Sequence, residues 1–276
     1  MGSEINHDIV CYEKTGNIAT ITLNRPESLN AMTGELMSSL SNALAQVTAD
    51  ETVRVVVLTG NGRGFCAGAD LSGPAASDDS PDNTDSIDEQ DSTAGMNDFF
   101  NPAMRALYNC PVPTIARVNG AAAGGGFGLA LACDITIAAR SAFFVATFGP
   151  KLGIVPDLGT TWTLPLRTGR ARAMGISLLG ERISAEQALA WGLIWNVTDD
   201  EQLDDEVGRV ASILERASPE AITRIRQSID AAAHNSFSEQ LDLEMRHQGV
   251  LIPRNMGEGA AAFMEKRDPV FSGRRE

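Results

Sequence analysis

Pro113-Thr-Ile-Ala-Arg-Val118 runs directly into Asn119-Gly-Ala-Ala-Ala-Gly-Gly-Gly126, then Phe127-Gly-Leu-Ala-Leu-Ala-Cys133 and Asp134-Ile-Thr-Ile-Ala138. The first run is short and rich in β-branched residues, so it reads as a strand. Asn119 to Gly126 is a turn made of residues that let two backbones approach closely. Phe127 to Cys133, small and apolar, predicts a short helix, and Asp134 to Ala138 a further strand. Strand, glycine-rich turn, helix and strand in that order argue for an α/β architecture of stacked β-β-α units.

The pattern extends toward the N-terminus. Asn17-Ile-Ala-Thr-Ile-Thr-Leu23 alternates as a strand does, and Arg25-Pro26 ends it. Thr33 is placed to cap a helix whose apolar stripe is Leu36, Met37, Leu40, Leu44 and Val47. Arg54-Val-Val-Val-Leu-Thr59 is almost continuously apolar, as in a sheet covered on both faces. A second glycine-bearing turn, Phe65-Cys-Ala-Gly-Ala-Asp70, follows it. A helix is expected from about 97 to 108.

Toward the C-terminus, Ser184 caps a helix, Leu193 to Val197 is a short strand, and the chain from Glu201 onward is mostly helical. The expected division is a core of residues 1–200, carrying an insertion at 72–95, and a helical oligomerisation region at 201–276. Within the insertion, Ser77 to Asp91 holds seven acids and no base, which reads as a solvated surface loop.

Several function classes fall away on composition. A net charge of -14 disfavours nucleic acid as a partner. No apolar run is long enough for a membrane span, and the start lacks the pattern of a signal peptide. The four cysteines are far apart, so reduced thiols in the cytoplasm are expected rather than disulfides or zinc. The three histidines, His7, His234 and His247, form no metal or Ser/His pattern, and no metal site is expected. Gly126-Phe-Gly128 is followed by no Gly-Lys-Ser/Thr, which excludes a Walker loop, and the turn lacks the dinucleotide fingerprint.

The two glycine-rich turns remain. Taken singly, each is a tight turn with close packing. Two such turns whose backbone amides converge on one point would make an oxyanion hole, suited to a thioester carbonyl becoming an enolate.

The residues now in view resemble those of the enoyl-CoA hydratase/isomerase (crotonase) superfamily. The resemblance rests on Asn24-Arg-Pro-Glu27, Leu29-Asn-Ala31, Gly64-Phe-Cys-Ala-Gly-Ala-Asp70, Asn119 to Gly126, Ala132-Cys-Asp134, Ala188-Leu-Ala-Trp-Gly-Leu193 and Ala262-Phe-Met-Glu-Lys-Arg267. It implies a ClpP-like spiral of β-β-α units with a C-terminal helical trimerisation region. It implies a homotrimer or dimer of trimers acting on an acyl-CoA, with no separate cofactor. Carried over residue by residue, it makes the amides of Ala67 and Gly125 the oxyanion donors. It places the adenine near Ala69, Asp70 and Leu71. Phe263 and Lys266 match positions that reach a CoA across a subunit boundary, and Arg25 is a candidate phosphate contact.

Family hydratases deliver water with two glutamates. The matching positions here are Gly128 and Gly149. One acid lies downstream, in Phe148-Gly-Pro-Lys-Leu-Gly-Ile-Val-Pro-Asp157. Alone, an aspartate there is a helix cap. The surrounding sequence, with Arg170 to Gly175, Ser184 to Ala188 and Trp191 to Trp195, resembles the ring-epoxide isomerases of phenylacetate breakdown. That resemblance makes Asp157 the catalytic acid/base. Met96, Phe99, Phe100, Phe144 and Trp162 are candidate walls of its pocket, or else ordinary core.

The expected function is therefore an acyl-CoA isomerase, shifting a double bond or converting 1,2-epoxyphenylacetyl-CoA to its oxepin form. An enoyl-CoA hydratase using Asp70 or an acid of the insertion is the alternative. A non-catalytic CoA-binding subunit is a third reading.

Overall fold

The computed structural model describes residues 8–72 and 93–272. The acidic run Ser77 to Asp91 lies outside them. Among the described residues, ten strands form two sheets. In chain order they are β1 (Val10–Thr15), β2 (Ile18–Leu23), β3 (Val55–Gly60), β4 (Gly64–Cys66), β5 (Thr114–Val118), β6 (Ala121–Ala123), β7 (Ile135–Ala139), β8 (Phe143–Val145), β9 (Ile183–Ser184) and β10 (Asn196–Thr198). The larger sheet has the order β1-β2-β3-β5-β7-β10, and the smaller β4-β6-β8-β9. Only β1–β2 and β8–β9 pair antiparallel.

Eight α-helices accompany them among the described residues: α1 (Gly34–Ala49), α2 (Asn101–Tyr108), α3 (Gly125–Ala132), α4 (Thr160–Leu179), α5 (Ala185–Ala190), α6 (Leu203–Arg216), α7 (Pro219–Ala232) and α8 (Phe237–Glu265). From β3 to α4 each repeat gives one strand to each sheet and then a helix. This is the expected spiral of β-β-α units.

The sequence rules explain most elements. β3 is buried at all six positions, because parallel neighbours flank it and helices cover it. The hydroxyl of Thr33 accepts the Leu36 amide at 3.1 Å and starts α1, whose buried face is the expected stripe plus Ala43. Ser184 likewise caps α5.

Two details differ from expectation. The turn from Asn119 to Gly126 contains a strand: β6 pairs in parallel with β4 and β8. Three alanines are too few and too small to show alternation. The late strand is Asn196–Thr198, because Val197 and Thr198 pair with β7.

Asp134 fastens the C-terminal helices to this core. Its Oδ2 accepts the Thr114 amide at 2.7 Å, and its Oδ1 accepts Nε of Arg226 on α7 at 2.9 Å. α8 is different in kind. It is 29 residues long and buries only Ala262. Leu241, Met245, Ile252 and Met256, spaced along one face, are all exposed.

Candidate active site

The site begins with a close approach. A Cβ on Gly126 would lie 2.1 Å from the Cys66 carbonyl oxygen, so only glycine lets the start of α3 press against β4. This contact brings the two glycine-rich turns together. Gly68 has φ 95, and its Cα faces the Gly125 amide. Between them lies a cavity of about 110 Å³. Ala67, Ala69, Leu71, Gly125 and Asp157 all line it.

The amides do not divide as the family resemblance implied. The Ala67 N–H donates to the Leu29 carbonyl at 3.0 Å and is unavailable to a ligand. Ala67 is thus corrected from donor to wall. Two residues further on, Ala69 forms a parallel bridge with Met32. Met32 donates to Gly68 and accepts from Asp70, at 2.7 and 2.9 Å. A parallel bridge of this kind leaves the central residue's own amide on the opposite edge. The Ala69 N–H has no acceptor among the described residues. Gly125 opens α3, where the first amides have no partner within the helix. The two open N–H groups at the cavity are therefore those of Ala69 and Gly125.

Asp157 does not cap α4. The N-cap is Gly159, in the left-handed region at φ 76. Only the Asp157 carbonyl joins the turn, accepting the Thr160 amide at 2.9 Å. Pro156 and the two left-handed residues Leu158 and Gly159 bend the chain so that the carboxyl group faces the cavity. Its Oδ1 is buried without a hydrogen-bond partner. Burial pushes the carboxyl above its ordinary range, and its own backbone amide offsets part of this. No other Asp or Glu lines the cavity among the described residues.

The two glycines at the positions matched to the family's glutamates differ in room. A Cβ on Gly128 would lie 2.7 Å from Oγ1 of Thr160 and 2.9 Å from the Leu158 carbonyl oxygen. The segment bearing Asp157 closes over the position where family hydratases keep a glutamate. Gly149 meets only the Ser177 carbonyl oxygen, at 3.2 Å.

The other expected site residues are distributed as follows. Arg25, the expected phosphate contact, braces the turn: Nη1 donates to the Ala31 carbonyl at 2.6 Å and Nη2 to Oδ2 of Asp70 at 2.9 Å. Asp70 also accepts from the hydroxyl and amide of Ser72. These bonds, with the Arg25 ion pair, hold its carboxyl down to about 2. Phe263 and Lys266 sit exposed at the end of α8, and neither lines the cavity of its own chain.

Of the expected apolar walls, Phe100 lines the cavity. Phe144 is core, packed on Phe127 with ring centroids 5.4 Å apart. Trp162 meets Tyr108 edge to face outside the cavity. Phe99 lies over Gly34, and Met96 does not reach the cavity.

Sequence reasoning missed Met32, Thr147, Phe148 and Leu158 as lining. Phe148 and Leu158 lie within or beside the quoted stretch ending at Asp157, which was the available signal. Met32 had none. Leu71, Leu152 and Ile154 form an exposed apolar rim. The described residues hold no metal-binding group of His, Cys, Asp and Glu, and no helix long and apolar enough to cross a membrane.

Two turns converging on a cavity with paired open amides define a site for polarising a carbonyl. Residues 13–274 match the enoyl-CoA hydratase/isomerase family. This chain is a member of that family. It is 46% identical over 265 residues to the 1,2-epoxyphenylacetyl-CoA isomerase of Escherichia coli (strain K12), covering 93% of this chain and 95% of that one. It is 39% identical to a protein named probable enoyl-CoA hydratase of Rhodobacter capsulatus, over 98% of this chain and all of the other. The crystal structure of enoyl-CoA hydratase from Bacillus anthracis superposes with a TM-score of 0.86 at 32% identity, covering 96% of this chain and 100% of that one. The fold is that of the crotonases.

Proposed function

We propose that the protein is an acyl-CoA isomerase in which Asp157 is the single acid/base group. One observation carries this reading. The only carboxyl group lining the cavity among the described residues has a buried, unpartnered oxygen, and it shares that cavity with the open amides of Ala69 and Gly125. The thioester oxygen binds between the two amides, which stabilise the charge of an enolate. Asp157 takes a proton from the acyl α-carbon and returns it at the γ-carbon, moving the double bond. Its raised pKa makes it a stronger base than an ordinary aspartate and a usable acid afterwards.

The likeness to a 1,2-epoxyphenylacetyl-CoA isomerase supports ring rearrangement as the principal reaction, in phenylacetate catabolism, with the bond shift beside it. Backbone near Ala69 and Leu71 holds the CoA, and Phe263 and Lys266 reach the CoA of a neighbouring subunit. The exposed stripe on α8 is the surface for a homotrimer, or a dimer of trimers, in the cytoplasm.

The names of several relatives favour enoyl-CoA hydratase as a second reading. It needs another acid. Asp70 is tied to Arg25 and Ser72 and does not line the cavity.

The test is Asp157→Asn, assayed on 1,2-epoxyphenylacetyl-CoA, on a 3-enoyl-CoA and on crotonyl-CoA. Loss of the first two supports the isomerase. Unchanged turnover rejects it. Crotonyl-CoA hydration that survives in the variant favours the hydratase. Acyl-CoA binding with no turnover of any substrate by the unaltered protein favours a non-catalytic subunit.

A further inference from the structure

Two hollows meet at one side chain. The acyl cavity ends at Leu158. Beyond it lies a groove of about 300 Å³ bordered by Met104, Tyr108, Ala132 and Trp162. Leu158 is the one residue that lines both. It is 5% exposed, and its Cδ1 would stand 2.7 Å from a Cβ on Gly125, so it packs directly over the oxyanion turn.

Its backbone is unusual as well. Leu158 has φ 50, a region that leucine enters at a cost and glycine enters freely. A leucine held there, between Asp157 and Gly159, points to a use for its side chain.

We propose that Leu158 sets the length of the acyl group by separating the acyl cavity from the Tyr108–Trp162 groove. A cavity of roughly 150 Å³ holds one benzene ring. The acyl cavity, at about 110 Å³, is smaller than this, so a single ring or a short chain already fills it. A longer chain that runs from the acyl cavity into the groove has to pass Leu158. This inference rests on the acyl-CoA reading of the cavity.

Calorimetric titration with hexanoyl-CoA and dodecanoyl-CoA tests it. Both are saturated, so binding is read without turnover. In Leu158→Ala the affinity for dodecanoyl-CoA relative to hexanoyl-CoA rises by about tenfold or more. Leu158→Gly, which suits the backbone better, gives the same shift and serves if the alanine variant does not fold. Adding Ala132→Phe on the groove side cancels the gain.

Ala132→Phe alone leaves both affinities at their original values, which supports the partition even if neither Leu158 variant folds. Weaker dodecanoyl-CoA binding in Ala132→Phe alone means the chain already reaches the groove, and overturns the proposal. So does an unchanged ratio in a folded Leu158 variant. If the unaltered protein binds neither thioester, the acyl-CoA reading itself fails, and this inference with it. Binding without isomerase turnover removes only the catalytic assignment.

Discussion

Oγ1 of Thr160 stands 2.7 Å from the point a Cβ on Gly128 would occupy. Thr160 is fully buried, and this hydroxyl has no hydrogen-bond partner. The start of α4 thus fills the space above α3 that a larger side chain would need. Gly128→Glu should therefore fail to create a second catalytic acid. Overpacking costs about 1–3 kcal/mol. Urea unfolding should report a loss in that range, with no gain in crotonyl-CoA hydration. A stable, hydrating variant would contradict the closed geometry.

Asp157→Asn should lower isomerase kcat by about 100-fold or more, the usual scale for a lost acid/base group. KM should move far less, since the amides of Ala69 and Gly125 are untouched. Steady-state kinetics on both isomerase substrates separates the two parameters.

Asp157 also makes stability and activity depend on pH in opposite directions. Its folded pKa lies above the ordinary value, so the folded protein holds this proton more tightly than the unfolded chain. The stability linked to it is fully present below the unfolded pKa. It is lost as pH rises through the folded one. Activity as a base appears over that same rise. Asp157→Asn should consequently melt higher than the parent at pH 7, and the difference should vanish toward pH 3. Differential scanning calorimetry at the two pH values checks this.

Asp70 has the opposite sign. The bonds from Ser72 and the Arg25 ion pair depress its pKa to about 2, so its contribution is present above the ordinary range and fades as pH falls toward that value. In Arg25→Met, an NMR titration should show the Asp70 pKa rising only part of the way to normal, because the Ser72 bonds remain. The bridge that orients Ala69 should loosen, and kcat should fall.

The cysteines give a check on packing. Burial pushes the Cys66 thiol up to about 12 and raises Cys133 as well, and Cys110 is also buried. Cys11 is only half-buried. Iodoacetamide at pH 8 should label the folded protein at Cys11 alone, and all four positions after denaturation.

The sequence made the spiral legible where elements were long or punctuated. The Thr33 cap, the apolar β3 and the glycine turns each carried a local signal. β6 was hidden because Ala121 to Ala123 is a strand only through its neighbours β4 and β8. The identity of the open amide was hidden for a related reason. Ala67 and Ala69 are the same residue type two positions apart, and only the bond to Leu29 tells them apart. Asp157 looked like a cap in isolation. Its freedom from that role depends on left-handed backbone at Leu158 and Gly159, and leucine gives no warning of such a conformation.

Ala262 is the single buried residue of α8, and this bears on how the protein responds to dilution. In the proposed homotrimer the rest of its apolar face packs against other copies of the chain. Its melting temperature should then follow the law of mass action, rising with protein concentration as any associating species does. Dilution should act on it as a denaturant does, melting the C-terminal helix before the strands are disturbed.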